Sequence, residues 1–308
     1  MPRRLPLFRQ SLLALQNYPK PIESQGPIWH AVPTLPDASL ATFKSEAFEP
    51  ARPFLLPEGT FSTVPAIGKW FQRDVNTGYS TLNLSHLKQY GDTMLPVEYS
   101  NPVKGRDMAF QRGSAPLALF LSWMQHATSS FKAGTMITQK LYIAQAPLSL
   151  LPASLHNDLP VPEYVQEAGK GDIYDSSLWM GLSPTYTPLH RDPNPNLFVQ
   201  LGGEKQIRIL SPETGDRLFG CMREEIGDAS DIANGQQSVA YRGEEMMMGE
   251  EYRALEDKIW HESTIEDFED GWEAYVKSGD GIFIPKGFWH SVKGIGEGLT
   301  ASVNWWFR

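Results

Sequence analysis

A single cysteine, Cys221, stands in a chain of 308 residues. That excludes an internal disulfide framework and a cysteine-based zinc cluster, and it suits a reducing compartment, the cytoplasm or the nucleus. No apolar run approaches the about 18 residues that a membrane-crossing helix needs, so a membrane is not expected as a partner. Near the N-terminus Arg3 and Arg4 precede a short apolar stretch, but Gln10 and Ser11 interrupt it and no small-residue cleavage site follows. A secretory leader is therefore not expected. A block of positive charge is missing as well, and a nucleic-acid partner, which needs a basic stripe against the phosphates, is not expected. Apolar residues are not scarce: 41% of the chain is hydrophobic and 11% aromatic, with 20% charged. That is enough for a packed core and too much for intrinsic disorder.

The charge that is present lies unevenly. The whole chain carries a formal −9, yet Glu213 to Val276 alone holds 18 acidic against 5 basic residues, a net of −13, which leaves the remainder at +4. Charge runs usually face water, so a solvated insertion is the plain expectation. The alternative is an acidic lid over a site, with Met246–Met248 and Trp260 meeting a basic peptide or cationic small molecule that the charge has steered there.

Three zones emerge along the chain. Residues 1–95 mix helical patterns with proline-rich connections: Leu5, Phe8, Leu12 and Leu15 recur at helical spacing, Asp37 reads as an N-cap, and Gly91 as a C-cap after Leu84 and Leu87. They are expected to form a helical and extended region packed on the core. Residues 96–308 form the second unit, with an acidic insertion at 213–276. In it, 115–126 reads as a buried helix, while 137–148, 176–183, 197–203, 205–211, 273–295 and 298–308 read as short strands broken by Gly or Pro. Strands without alternating helices mean a mainly β fold with flanking helices, a barrel or a sandwich. A helix is expected near 244–260 inside the insertion.

The chemistry begins at His190 and Asp192. Two residues apart on an extended strand, they share a face. His290 follows 100 residues later, at the start of another expected strand. Two imidazoles and one carboxylate on one face of an ion leave three positions open, the facial triad of non-haem Fe(II) oxygenases. A lone His-x-Asp is weak evidence, and a histidine hydrogen-bonded to its neighbouring Asp explains it equally well. The other histidines (His30, His86, His126, His156 and His261) have no ligand spacing around them and read as structural or exposed.

The surroundings of the pair change that balance. From about Leu141 to Phe307 the sequence resembles the JmjC branch of the cupin-type 2-oxoglutarate-dependent oxygenases, and within it the small hydroxylases that include the asparaginyl hydroxylase of the hypoxia pathway. Lys205 stands fifteen residues after His190, Thr187 three before it, and Tyr142 lies in LYIAQAPL. In the family such residues contact the distal carboxylate of 2-oxoglutarate. Asn196 and Asn304, the latter in the terminal VNWWF, match polar positions lining the same pocket, and GDGIFIPKGFWH matches the run before the distal metal histidine. The resemblance implies a double-stranded β-helix (jelly-roll, cupin) barrel, Fe(II) held by His190, Asp192 and His290, 2-oxoglutarate as cosubstrate, and O2. It also implies hydroxylation of a C–H bond in a protein side chain, peptide or small molecule. N-methyl-lysine demethylation by the same chemistry, and a non-catalytic metal-binding cupin, are the alternatives. The physical requirement is independent of family: a buried carboxylate needs a charged partner, and Lys205 supplies one.

Some residues depart from the family pattern. Trp179 stands where relatives often carry a smaller aliphatic residue and is expected to narrow the cosubstrate pocket. Arg191 separates the two ligands, and Asp-Pro-Asn-Pro-Asn at 192–196 should stiffen the loop beside them. The chain stops at Arg308, so a monomer is expected, or a dimer formed by a route other than helices after the barrel.

Overall fold

Segments rich in β-branched and aromatic residues, cut short by Gly and Pro, close into two facing sheets. The computed structural model describes residues 29–75, 77–101, 109–132, 134–135, 138–226, 249–261 and 270–308. In chain order the strands are β1 (His30–Ala31), β2 (Phe54–Leu55), β3 (Phe71–Arg73), β4 (Ser80–Leu82) and β5 (Met94–Asn101). They continue with β6 (Ala109–Pro116), β7 (Lys140–Pro147), β8 (Ile173–Leu182), β9 (Tyr186–Arg191) and β10 (Asn196–Gly202). The last five are β11 (Glu204–Leu210), β12 (Gly271–Lys277), β13 (Gly281–Ile284), β14 (Trp289–Ile295) and β15 (Leu299–Phe307). One sheet runs β1-β12-β11-β14-β9 and the other β2-β13-β10-β15-β8-β7-β5-β6, with β3 and β4 as a separate hairpin. This is a jelly-roll β fold with flanking helices.

Alternation along the strands assigns each face. On β10, Leu197, Val199 and Leu201 point outward into the largest core cluster, while Phe198 joins Ile207, Ile209, Ala274, Val276, Ile282, Ile284 and Val292 between the sheets. The outward cluster is covered by Leu35, Phe43, Ala47 and Trp70 from the N-terminal region and by Phe120 and Leu121 of the helix Leu117–Lys132. The N-terminal residues described here thus share one core with the barrel, and β1 and β2 extend its sheets. β15 alternates most plainly: Ala301, Val303, Trp305 and Phe307 face that outer core, and Thr300, Ser302, Asn304 and Trp306 face the interior. A strand buried on both faces with polar residues on one of them is unusual, because each buried polar group needs a partner.

Local signals held with small shifts. Ser39, not Asp37, caps the first helical turn, its Oγ accepting from the Thr42 N–H at 3.2 Å, while Asp37 accepts from the Ser39 N–H at 2.8 Å. Gly91 follows the 84–90 turns in right-handed conformation (φ −56°), so its glycine is not required there by handedness. Gly203 is required: it sits at φ +67°, and a Cβ there would meet the Leu299 carbonyl oxygen. Leu5 to Leu15 lie outside the described residues. No helix among the described residues is long and apolar enough to cross a membrane.

The acidic segment is not one insertion. Residues 271–276, which fall inside the counted segment, belong to strand β12, and Pro212–Glu225 is a helix capped by Ser211. Leu218, Phe219, Met222, Leu255 and Ile259 pack with Leu189, Leu210 and Trp289 on the outer face of the five-stranded sheet. Met246–Met248 lie outside the described residues. Trp260, a substrate contact in the lid alternative, instead donates its indole N–H to Ser291 Oγ (3.0 Å) on that outer face. Its ring lies between Arg208 (4.6 Å) and Lys293 (4.9 Å); Arg208 also covers Trp29 (4.7 Å) and Lys293 covers Tyr186 (5.3 Å). This ladder of rings and cations pins the segment because each cation is shielded from water between two rings. Replacing Trp260 by Ala is expected to cost about 2–3 kcal/mol of stability, read as a lowered midpoint in urea unfolding. An unchanged midpoint would mean the ladder is decorative.

Candidate active site

The register of the five-stranded sheet builds the site. His30 pairs with Trp272, Trp272 with Ile209, Ile209 with His290, and His290 with His190, so five strands contribute one continuous row. The ligand atoms of His190, Asp192 and His290 lie within 4.8 Å of one another. Asp192 follows the last residue of β9, its carbonyl accepting from the Gly287 N–H at 3.0 Å. Its Oδ2 stands 3.5 Å from His290 Nε2 and its Oδ1 4.0 Å from His190 Nε2.

Both imidazoles are oriented by backbone. His190 Nδ1 lies 2.8 Å from the Pro188 carbonyl oxygen and His290 Nδ1 3.2 Å from that of Phe288. A carbonyl can only accept, so each Nδ1 carries a proton and Nε2, the nitrogen left for a metal, is turned toward Asp192. Burial first, and the His190 imidazole second, hold His290 down to about 4, so it is neutral at physiological pH.

The outward neighbours of the ligands are tied together. Arg191 Nη1 donates to Asp216 Oδ1 at 2.9 Å and covers the Trp289 ring, and Trp289 Nε1 donates to the same oxygen at 2.9 Å. Arg191 therefore points away from the ligand cluster. A β-bulge explains how Thr187 shares the interior face with His190 although they stand three positions apart. Pro188 and Leu189 oppose the single residue Ser291, and Thr187 pairs with Val292.

Lys205 lies two residues past Gly203 on the inward face of β11 and is 3% exposed. Its Nζ donates to Ser302 Oγ at 2.8 Å and lies 5.2 Å from the Phe198 ring. Burial alone pushes it down to about 7; no carboxylate among the described residues offsets the lost hydration. An ammonium held dry and without a counter-ion is what the distal carboxylate of a dicarboxylate would complete, so the residues present fit 2-oxoglutarate. Trp179 is opposite Ser302 across β8 and β15, with its ring 6.2 Å from that of Tyr142. Tyr142 packs so closely on Gly181 that a Cβ there would lie 2.3 Å from its ring. Its hydroxyl bonds Thr185, not Lys205, and burial pushes it well above the ordinary tyrosine range.

Asn196 and Asn304 come to the carboxylate end. Asn304 Nδ2 donates to Asn196 Oδ1 (2.9 Å), and Asn196 Nδ2 donates to Asp192 Oδ2 (3.0 Å). Sequence reasoning missed Ser302 and Trp306, whose indole N–H donates to Asp192 Oδ2 at 2.7 Å. The signal that marks them is the alternation of β15, where Thr, Ser, Asn and Trp interleave with Ala, Val, Trp and Phe.

A family model described as a cupin-like domain matches residues 40–308. The chain is similar to Jumonji C domain-containing protein 5 of Drosophila melanogaster, 26% identical over 282 residues, 90% of this chain and 60% of that protein. It is 23% identical over 268 residues to lysine-specific demethylase JMJ30 of Arabidopsis thaliana, covering 87% of this chain and 53% of that one. With lysine-specific demethylase 8 of Xenopus tropicalis it shares 24% over 283 residues, 90% of this chain and 53% of the relative. The chain thus spans between half and two thirds of the length of these relatives.

Proposed function

The chain belongs to the cupin-like domain family, in its JmjC-type form, and from that premise we propose that it is an Fe(II)- and 2-oxoglutarate-dependent dioxygenase. In this reading 2-oxoglutarate, O2 and a substrate C–H bond give succinate, CO2 and the hydroxylated product. The observation that carries it is the convergence of the ligand atoms of His190, Asp192 and His290 within 4.8 Å, with both histidine Nδ1 atoms already engaged.

The residues divide the work. His190, Asp192 and His290 would hold the ion, which when bound supplies O2 activation and the oxidising capacity for hydroxylation. Lys205 neutralises the distal carboxylate of the cosubstrate, and Ser302 orients that lysine. Thr187 faces the same interior, and Trp179 with Tyr142 closes its side. Phe198, Ile207 and Val292 keep this space dry, which strengthens every charge contact inside it. The substrate is a protein side chain, a peptide or a small molecule.

Two of the relatives carry the name lysine-specific demethylase, which favours methyl-lysine demethylation as a second reading. With Fe(II), 2-oxoglutarate and candidate substrates, succinate formation is expected. Formaldehyde release selects demethylation, and a product heavier by about 16 Da without formaldehyde selects stable hydroxylation. Absence of succinate across substrates, in protein that retains its metal, would leave a metal-binding cupin without O2 chemistry.

A further inference from the structure

The inward face of β15 reaches both ends of the pocket. Ser302 receives Lys205 at one end, Asn304 reaches Asn196 in the middle, and Trp306 reaches Asp192 at the other. At about 3.3 Å per residue, Ser302 and Trp306 stand roughly 13 Å apart along one straight element. Trp305, between Asn304 and Trp306, points the other way into the outer core.

At Asp192 two donors converge on one oxygen. Oδ2 accepts from Trp306 Nε1 at 2.7 Å and from Asn196 Nδ2 at 3.0 Å and stands 3.5 Å from His290 Nε2, while Oδ1 lies 4.0 Å from His190 Nε2. Two N–H donors use up the lone pairs of Oδ2, and charge-assisted bonds of this length are strong. We propose that Trp306 is a positioning residue for the metal: its indole N–H fixes the Asp192 carboxylate so that Oδ1 alone is offered to the ion. The consequence is one of coordination arithmetic. Three protein ligand atoms leave three of six positions, enough for a chelating keto acid and O2. A carboxylate turned to bind through both oxygens would take one of those three. Asp192 lies beyond the end of β9, where ladder hydrogen bonds no longer hold it, so the side-chain donors decide how it turns.

The inference rests on the metal-site reading above, and the experiment separates the two. Mn(II) is titrated into the full chain, with free ion counted by electron paramagnetic resonance, for wild type, for Trp306→Phe, and for protein carrying β-(3-benzothienyl)alanine at 306. The last keeps the bicyclic shape and lacks only the N–H. Both replacements are expected to weaken Mn(II) binding by about 10–100-fold, the usual effect of losing an outer partner of a ligand. Ser302→Ala, at the other end of the same face, is expected to leave Mn(II) binding unchanged and raise the 2-oxoglutarate KM. If the benzothienyl protein binds Mn(II) as wild type does, the proposal is overturned and Trp306 is packing only. If wild type binds no Mn(II), the metal-site reading itself fails.

Discussion

Asp192→Ala is expected to abolish metal binding and, with it, all succinate formation. Among the described residues the carboxylate is the one acidic group in the cluster with His190 and His290, and its removal leaves two imidazoles facing each other with ring centroids 4.2 Å apart. Two nitrogens without an anion bind a divalent ion far more weakly than the full set. The loss should exceed the roughly 10–100-fold that follows from removing an outer partner. His190→Ala and His290→Ala should behave alike. The fold should survive, because His190 and Asp192 stand at the end of β9 and take no part in the three apolar clusters. Isothermal titration with Mn(II) or Co(II), alongside circular dichroism, checks both halves. Full metal occupancy in a folded Asp192→Ala protein would remove this residue from the site.

Lys205→Met should act on the cosubstrate and on stability in opposite directions. Losing a charge-assisted bond to a carboxylate costs about 1.5–3 kcal/mol, so the apparent KM for 2-oxoglutarate should rise more than tenfold. In the ligand-free protein the same lysine is a burden, since burial lowers it from 10.5 to about 7. Between about pH 7 and pH 10.5 the unfolded chain keeps this proton and the folded chain releases it. The unfolded state then binds more protons, and stability rises with pH across that window. Below about pH 7 the cost of the buried charge is fully present. Lys205→Met removes the rise, and near pH 7 the ligand-free variant should be more stable than wild type, because an apolar side chain of similar length fits the same space. Urea unfolding at several pH values reads the slope, and steady-state kinetics reads the KM. A KM unmoved by the substitution would place the dicarboxylate elsewhere.

Much of this site was legible in the sequence because strand chemistry is local. His190, Asp192, His290 and Lys205 were found by spacing and resemblance, and the strands carrying His290 and Lys205 were read from β-branched runs broken by Gly and Pro, whereas the strand of His190 was not among the segments read. The bulge that turns Thr187 to the face of His190 was not legible, since a two-residue period assigns positions 187 and 190 to opposite faces. The acidic segment misled for a related reason. Net charge reports what faces water, but the apolar stripe of Leu218, Phe219, Met222, Leu255 and Ile259 decides where a helix rests, and it rests on the outer face of a sheet. Trp260 looked available as a substrate contact because the sequence does not reveal that Arg208, Lys293 and Ser291 stand on neighbouring strands beneath it.

The sequence by itself determined the class of fold and singled out His190, Asp192, His290 and Lys205 as candidates, because hydrophobic period, turn residues and ligand chemistry are properties of short stretches. Tertiary structure alone decided that His30, Trp272, Ile209, His290 and His190 form one row, that Asn196 and Asn304 serve Asp192, that Tyr142 bonds Thr185, and that β15 supplies Ser302 and Trp306 to opposite ends of one pocket. These are pairings between residues far apart in the sequence, His30 with Trp272 and Trp306 with Asp192 among them. Such contacts follow from strand order and register, which the packing of the whole barrel fixes and no local pattern encodes.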